Sequence, residues 1–238
     1  LAPQSVEILL VEDDPINQEV ALELLRGPGY RVAVAADGAQ AVAMAQGQRY
    51  HLILMDLQMP VMDGFEATRR LRGTPAHART PIIAMTANVF VEDQERCLAA
   101  GMDDFIAKPV DPERLMATVS RWLGAEVRSA SPSPETKQAV SDWQTALARI
   151  EGMDIAAALR SVRGRWATLE RLLHGFVRDH GDDGPALLRD LAARQFESVE
   201  RRAHTLKGLA GTLGIRPLAA AAAQLEAAWV AACLPQRA

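Results

Sequence analysis

Five short apolar runs alternate with stretches of helical period over the first half of the chain: Ile8–Val11, Val32–Ala35, Leu52–Met55, Ile82–Met85 and Phe105–Ala107. The helical periods between and after them fall at about Ile16–Arg26, Ala39–Gln46, Phe65–Arg72, Glu92–Ala100 and Pro112–Trp122. Strands that are apolar on both faces must be covered on both faces. A strand followed by a helix returns to its sheet as a parallel neighbour. Five such β–α units predict one parallel five-stranded sheet with helices on each side.

The texture then changes. Gly124 to Lys137 carries Ser129, Ser131, Pro132, Ser133 and Pro134 with almost nothing apolar to bury, which reads as a linker. From about Ser141 onward only helical periods remain, in Ile155–Val162, Trp166–Val177, Leu187–Leu191, Val199–Leu213 and Leu218–Val230. Gly164, the stretch Gly181 to Pro185 and the corner Gly214 to Pro217 read as breaks between them. An up-down helical bundle is expected. The predicted organisation is an α/β domain over 1–123, a linker over 124–140 and an all-α domain over 141–238.

Composition narrows the function. The net charge is −4, divided into −6 for residues 1–123 and +2 for 141–238, which argues against a nucleic-acid binder held by a basic field. The two cysteines, Cys97 and Cys233, are far apart and form no disulfide framework or thiolate metal site, as expected of a reducing compartment. No uncharged apolar run approaches the ~18 residues of a membrane span. The chain begins at Leu1 without a signal peptide, and the expectation is a piece of a longer chain.

Sites in parallel α/β sheets form where the carboxyl ends of strands meet their loops. The first strand ends in Glu12 and Asp13, with Asp14 next; the third ends in Asp56; the fourth ends in Thr86; the fifth runs into Lys108-Pro109. Crowded carboxylates repel one another unless a cation intervenes, and an all-oxygen cluster suits Mg²⁺. One carboxylate is then left to attack phosphorus, while Lys108 neutralises the oxygens of the transferring phosphoryl group and Thr86 hydrogen-bonds the phosphate. More ordinary roles compete residue by residue. Thr86 could cap a helix, Phe105 could be core, and Met55, Met59, Met62 and Met85 could be packing.

The segments ILLVEDDPINQEVALELL, ILMDLQMPVMDGFEATRRLR, PIIAMTA and AAGMDDFIAKPV resemble a receiver domain of two-component signalling, in order, across residues 5–123. The resemblance implies a flavodoxin-like (βα)5 fold with Asp56 as phosphoacceptor. It implies Mg²⁺ held directly by Asp13, Asp56 and the carbonyl of Gln58, with Glu12 acting through water. Thr86 and Lys108 would contact the phosphoryl group and couple it to a change of shape, and Phe105 stands where the family has a switching aromatic. Asp14 occupies a position often held by Asn, and Lys108-Pro109 is expected to be cis.

Of the five histidines, His51, His77, His174 and His180 lack ligand spacing, and structural roles suffice for them. His204 differs. Lys207, Gly208 and Gly211 follow it at i+3, i+4 and i+7 and share its helical face. Each glycine costs a helix about 1 kcal/mol relative to alanine, so two on one face suggest that something large approaches there. Neutral imidazole can attack phosphorus, and Lys207 would meet the phosphate oxygens. His204 could instead be a surface residue beside small packing residues. The run AHTLKGLAGTLG resembles the signature of a histidine phosphotransfer (HPt) domain, with support from IEGMDIAAALRSVRG, LLHGFVRDH and LAAAAAQLEAAW. That resemblance makes His204 the phosphorylated histidine and Lys207 its companion. Thr212 departs from the usual Asn or Ser. A further helix beyond Leu218–Val230 is implied, so the bundle is expected to lack its last helix.

Together the two resemblances imply the carboxyl-terminal receiver and HPt segment of a hybrid sensor histidine kinase. A phosphoryl group would pass from a kinase histidine to Asp56, then to His204, then to a separate downstream receiver. A linker of this length reaches roughly 20–25 Å if flexible, so transfer within one chain is possible. No kinase core, with its ATP lid and dimerisation helices, is recognisable. The implied setting is a cytoplasmic segment, without membrane or nucleic-acid contact, of a bacterial parent anchored in the inner membrane. A rival reading is a phosphorylation-dependent interaction switch whose helical half is a docking bundle. An independent phosphate hydrolase is disfavoured, because Gln58 stands where a second catalytic Asp would be needed.

Overall fold

The computed structural model describes residues 6–26, 29–86, 91–124 and 142–233. The chain divides into two compact units, Leu1–Pro132 and Ser133–Ala238. Apart from Gly124, the expected linker lies outside the described residues.

All five expected strands form in the first unit: β1 (Glu7–Val11), β2 (Arg31–Ala35), β3 (Leu52–Asp56), β4 (Ile82–Thr86) and β5 (Asp104–Ala107). They alternate with α1 (Pro15–Arg26), α2 (Gly38–Gly47), α3 (Gly64–Arg72), α4 (Val91–Ala100) and α5 (Pro112–Leu123). The sheet is parallel throughout, in the order β2-β1-β3-β4-β5, the flavodoxin-like arrangement. From β1 the chain winds one way to β2 and the other way to β3, so a crevice opens at the carboxyl ends of β1 and β3. Register lines that edge with chemistry. Val11 pairs with Met55, Asp56 with Met85 and Thr86 with Ala107, so Glu12, Asp56, Thr86 and Lys108 reach the edge at neighbouring heights.

The central strands are buried on both sides, as a parallel sheet requires. Leu9, Val11, Ile53, Met55, Ile82 and Ala84 point into one core with Ala41, Ala45, Ala67, Leu71 and Cys97 of the helices. The alternate residues Ile8, Leu10, Leu52, Leu54 and Ile83 are equally buried on the opposite face. Helix starts are fixed by aspartates: Asp37, Asp63 and Asp111 each accept the N–H three residues on, from Gln40, Glu66 and Arg114.

Arg72 ties the far edge of the sheet. Its Nε donates to Gly101 O (2.8 Å), one guanidinium nitrogen donates to His77 O (3.0 Å) and Thr80 O (2.7 Å), and the other donates to Asp103 Oδ2 (2.7 Å). Arg72→Ala is expected to destabilise this unit by about 3 kcal/mol in chemical denaturation, because buried acceptors lose a charged donor. Arg72→Lys should recover little, since one ammonium cannot span these acceptors. A midpoint unchanged in Arg72→Ala would refute this.

The second unit holds α6 (Asp142–Leu147), α7 (Ile155–Ser161), α8 (Trp166–His180), α9 (Asp183–Ala192), α10 (Phe196–Thr212) and α11 (Arg216–Cys233). α6 is an addition to the sequence reading; its Trp143 meets Trp166 of α8 edge to face at 5.6 Å. The break expected through Pro185 ends earlier, because α9 already begins at Asp183. Pro185 falls in the first helical turn, where backbone N–H groups have no partner within the helix to lose. The corner between α10 and α11 turns on Gly214, at φ +73°, where a Cβ would stand 2.3 Å from Asp154 O. Asp154 N–H in turn donates to Gly214 O (2.7 Å), which stitches the start of α7 to this corner.

Candidate functional site

The carboxyl edge of the sheet gathers the predicted acidic residues. Carboxylate oxygens of Glu12, Asp13 and Asp56 all lie within 4.8 Å of one another. Lys108 Nζ lies between two of these groups, 2.7 Å from Glu12 Oε2 and 2.6 Å from Asp56 Oδ2. Gln58 N–H donates to Asp56 Oδ1 at 3.3 Å. Thr86 is buried at the end of β4, and its carbonyl accepts Lys108 N–H at 2.7 Å. Lys108-Pro109 is cis. Gly64 packs the start of α3 against Asp56: a Cβ there would stand 2.1 Å from the Asp56 carbonyl oxygen, so only glycine fits.

The electrostatics follow from burial. Burial pushes the Glu12 carboxyl up, against the pull of the Lys108 ammonium. Burial works against the charge of Lys108, but Asp56 and Glu12 outweigh it and hold the ammonium above its ordinary range. Burial, and then the charge of Asp56, push Asp13 from 3.8 up to about 6. Between about pH 4 and 6 the folded metal-free chain thus holds a proton on Asp13 that the unfolded chain has lost. That contribution to stability is full below about pH 4 and disappears as pH rises through about 6. In metal-free thermal melts, Asp13→Asn is expected to match the parent near about pH 3.5 and to exceed it above about pH 6.5. Parallel curves would disprove the shift.

Asp14 lies beside this pocket but serves α1. Its Oδ1 accepts the N–H groups of Ile16 (2.8 Å) and Asn17 (3.1 Å), as a helix cap does. Phe105 is partly buried beneath the Arg114 guanidinium, 5.9 Å from the ring centre. The residues that Thr86 would cap, 88–90, lie outside the described residues.

In the second unit His204 lies on α10 with its side chain 9% exposed. Its Nδ1 is 2.7 Å from Glu226 Oε1 on α11, and Lys207 Nζ donates to Glu226 Oε2, also at 2.7 Å. Burial works against the charge of Glu226, but hydrogen bonds from His204 and Lys207 outweigh it and hold the carboxyl below its ordinary range. A carboxylate only accepts, so Nδ1 of neutral His204 carries the proton and the lone pair stands on Nε2. Nε2 is buried without a hydrogen-bond partner among the described residues. A Cβ on Gly208 would meet nothing within 4 Å among the described residues, so no packing seen there demands glycine. Thr212 Oγ1 donates to Gly208 O (3.0 Å), a bond within the helix.

Sequence reasoning passed over Glu226, whose signal is that it is the single acidic residue of α11. The remaining histidines have structural partners or lie exposed. His77 is fully buried on Ala45 O, Gln48 O and Thr80 Oγ1. His51 Nδ1 accepts Glu7 N–H, His180 pairs with Asp183, and His174 is exposed. No helix among the described residues is long and apolar enough to cross a membrane.

A parallel α/β unit with carboxylates and a lysine at its switch point, joined to a helical bundle that holds a histidine on a carboxylate, defines a segment of two-component phosphorelay signalling. Residues 8–120 match the family model for the response regulator receiver domain and residues 171–237 that for the Hpt domain, so the first unit carries a receiver domain and the second an Hpt domain. It is similar to the signal transduction histidine-protein kinase BarA of Escherichia coli K12, 36% identical over 155 residues that cover 62% of this chain and 17% of BarA. It is also similar to the sensor protein GacS of Pseudomonas syringae pv. syringae, 28% identical over 230 residues that cover 95% of this chain and 25% of GacS. The chain thus spans about a quarter or less of these relatives. Among solved structures it resembles the receiver domain of sensor histidine kinase PA1611 from Pseudomonas aeruginosa PAO1, solved with magnesium in its active site cleft. That domain is 51% identical, with a TM-score of 0.48, over 51% of this chain and 99% of that one.

Proposed function

We propose that this chain relays a phosphoryl group through two acceptors of its own, Asp56 and His204. The observation that supports this most is the occurrence, in one chain, of a buried acidic pocket around Asp56 and an imidazole whose Nδ1 is engaged while Nε2 is left as nucleophile. The donor is a phosphohistidine of a kinase core on the same parent chain, and the final acceptor is a separate receiver. The net charge argues against nucleic-acid contact, and the segment works on the cytoplasmic side of a membrane-anchored parent.

Three clustered carboxylates without a nitrogen or sulfur donor fit a hard cation, and Asp13, Asp56 and the Gln58 carbonyl would hold Mg²⁺ with Glu12 nearby. When bound, Mg²⁺ supplies positive charge for the phosphoryl oxygens. An oxygen of Asp56 attacks phosphorus, the P–N bond to the donor imidazole breaks, and the imidazole leaves with the electron pair. Lys108 moves its charge from Asp56 onto the phosphoryl oxygens, and the Thr86 hydroxyl donates to one of them. In the second transfer Nε2 of His204 attacks, the Asp56–phosphorus bond breaks, and the carboxylate is restored. Glu226 stabilises the ring as it gains positive charge, and Lys207 meets the phosphate.

The burial of His204 favours a second reading, in which the bundle only docks a partner and the receiver acts as a phosphorylation-dependent switch. Incubation with acetyl phosphate and Mg²⁺ separates the two. Phosphohistidine survives base and acyl phosphate does not. A relay acquires base-stable phosphate; a chain that acquires only base-labile phosphate is a switch.

A further inference from the structure

We propose that Asn17, on the first turn of α1, is a positioning residue that orients the Glu12 carboxylate toward the phosphoacceptor pocket. The inference rests on the reading of that pocket given above. Glu12 is 1% exposed, and each of its carboxylate oxygens has one donor. Oε2 faces Lys108 at 2.7 Å, and Oε1 accepts the side-chain amide of Asn17 at 2.9 Å. The two donors come from different elements and grip the carboxylate at both ends, which fixes its plane.

The backbone of Asn17 does not account for the residue. Its N–H is already satisfied by the Asp14 cap, and asparagine is a mediocre helix former, up to ~0.7 kcal/mol worse than alanine. Helical side chains lean toward the amino end of their helix, so a side chain on the first turn of α1 is aimed back at the end of β1, where Glu12 lies. Lys108 cannot do this work alone. It is shared with Asp56, and in the proposed transfer its charge moves onto phosphoryl oxygens. Glu12 then keeps Asn17 as the donor that does not move during the reaction. Removing a partner that orients a carboxylate beside a metal site typically weakens metal binding 10–100-fold.

The adjacent residue supplies a control. Gln18 Nε2 also donates to Glu12, at 2.7 Å, but to the backbone carbonyl instead of the carboxylate. A role in merely seating α1 predicts similar effects for both residues; positioning of the carboxylate predicts an effect for Asn17 alone. The test is Mg²⁺ titration by calorimetry, without phosphodonor, on the full chain and on Asn17→Ala, Asn17→Leu, Gln18→Ala and Asp13→Asn. Leucine keeps the branched outline of asparagine without its donor, and thermal melting confirms that each variant is folded. Both Asn17 variants are expected to raise the Mg²⁺ dissociation constant about tenfold, with Gln18→Ala within about twofold of the parent. The Mg²⁺ concentration giving half-maximal labelling by acetyl phosphate should rise by the same factor, while the rate at saturating Mg²⁺ changes less than about twofold. Asn17 variants that bind Mg²⁺ like the parent would overturn the inference, as would an equal weakening by Gln18→Ala. If Asp13→Asn also binds Mg²⁺ like the parent, the reading of the pocket itself fails, whatever Asn17 does.

Discussion

Asparagine in place of Asp56 is expected to abolish both kinds of label, the base-labile and the base-stable, when the chain is incubated with acetyl phosphate and Mg²⁺. The substitution keeps the shape of the side chain and removes the nucleophilic oxygen. Loss of acyl phosphate follows at once; loss of base-stable phosphate follows only if His204 is fed by Asp56. His204→Gln should therefore separate the steps, keeping the acyl phosphate and losing the base-stable one. Chelation of the metal should mimic Asp56→Asn. Folding is not the cause of the loss, because asparagine relieves the charge repulsion that lifts Asp13 while Lys108 keeps Glu12 as partner. The melting temperature of Asp56→Asn at pH 7 should accordingly equal or exceed that of the parent. Label on Asp56→Asn at the parental level would place the acceptor elsewhere. Base-stable label without the acyl species would mean that His204 takes phosphate directly and the order of transfer is wrong.

The acidic pocket is legible in sequence because its residues sit at the ends of apolar runs. A short apolar run between helical periods locates each strand, parallel topology puts all carboxyl ends on one edge, and Glu12, Asp13, Asp56, Thr86 and Lys108 need only be read off. The bridge that Lys108 makes between Glu12 and Asp56 is a matter of rotamers, and no pattern encodes it. In the bundle the same logic gives less. A helical period says which face of α10 carries His204 but not which residue of α11 meets it, so Glu226, 22 positions away, stayed hidden in an alanine-rich stretch. The proximity that lets Glu226 reach both His204 and Lys207 is thus visible only once the pair is assembled. α6 was missed for a different reason. Six residues are too few for a helical period to declare itself, and tertiary contacts such as Trp143 on Trp166 supply what propensity does not.

Glu226→Ala should slow phosphoryl transfer from Asp56 to His204 by about a hundredfold while leaving the labelling of Asp56 untouched. Three consequences of the deletion act in the same direction. Nδ1 loses the acceptor that keeps its proton in place, so the ring no longer presents the Nε2 lone pair in a single tautomer. The positive charge that the ring gains as the Nε2–phosphorus bond forms loses its counter-ion. Lys207 loses the group that holds it on the His204 side of the helix pair. Glu226→Gln separates these contributions. Its carbonyl oxygen can still accept from Nδ1 but carries no charge, so the rate should fall between the parent and Glu226→Ala. Stability should report the same pairing. A carboxyl held below its ordinary range contributes stability that is present above about pH 4.5 and lost as pH falls through its lowered folded value, and both variants should lack that acid limb. If Glu226→Ala transfers at the parental rate, His204 needs no orienting carboxylate, and the ion pair with Lys207 is structural only.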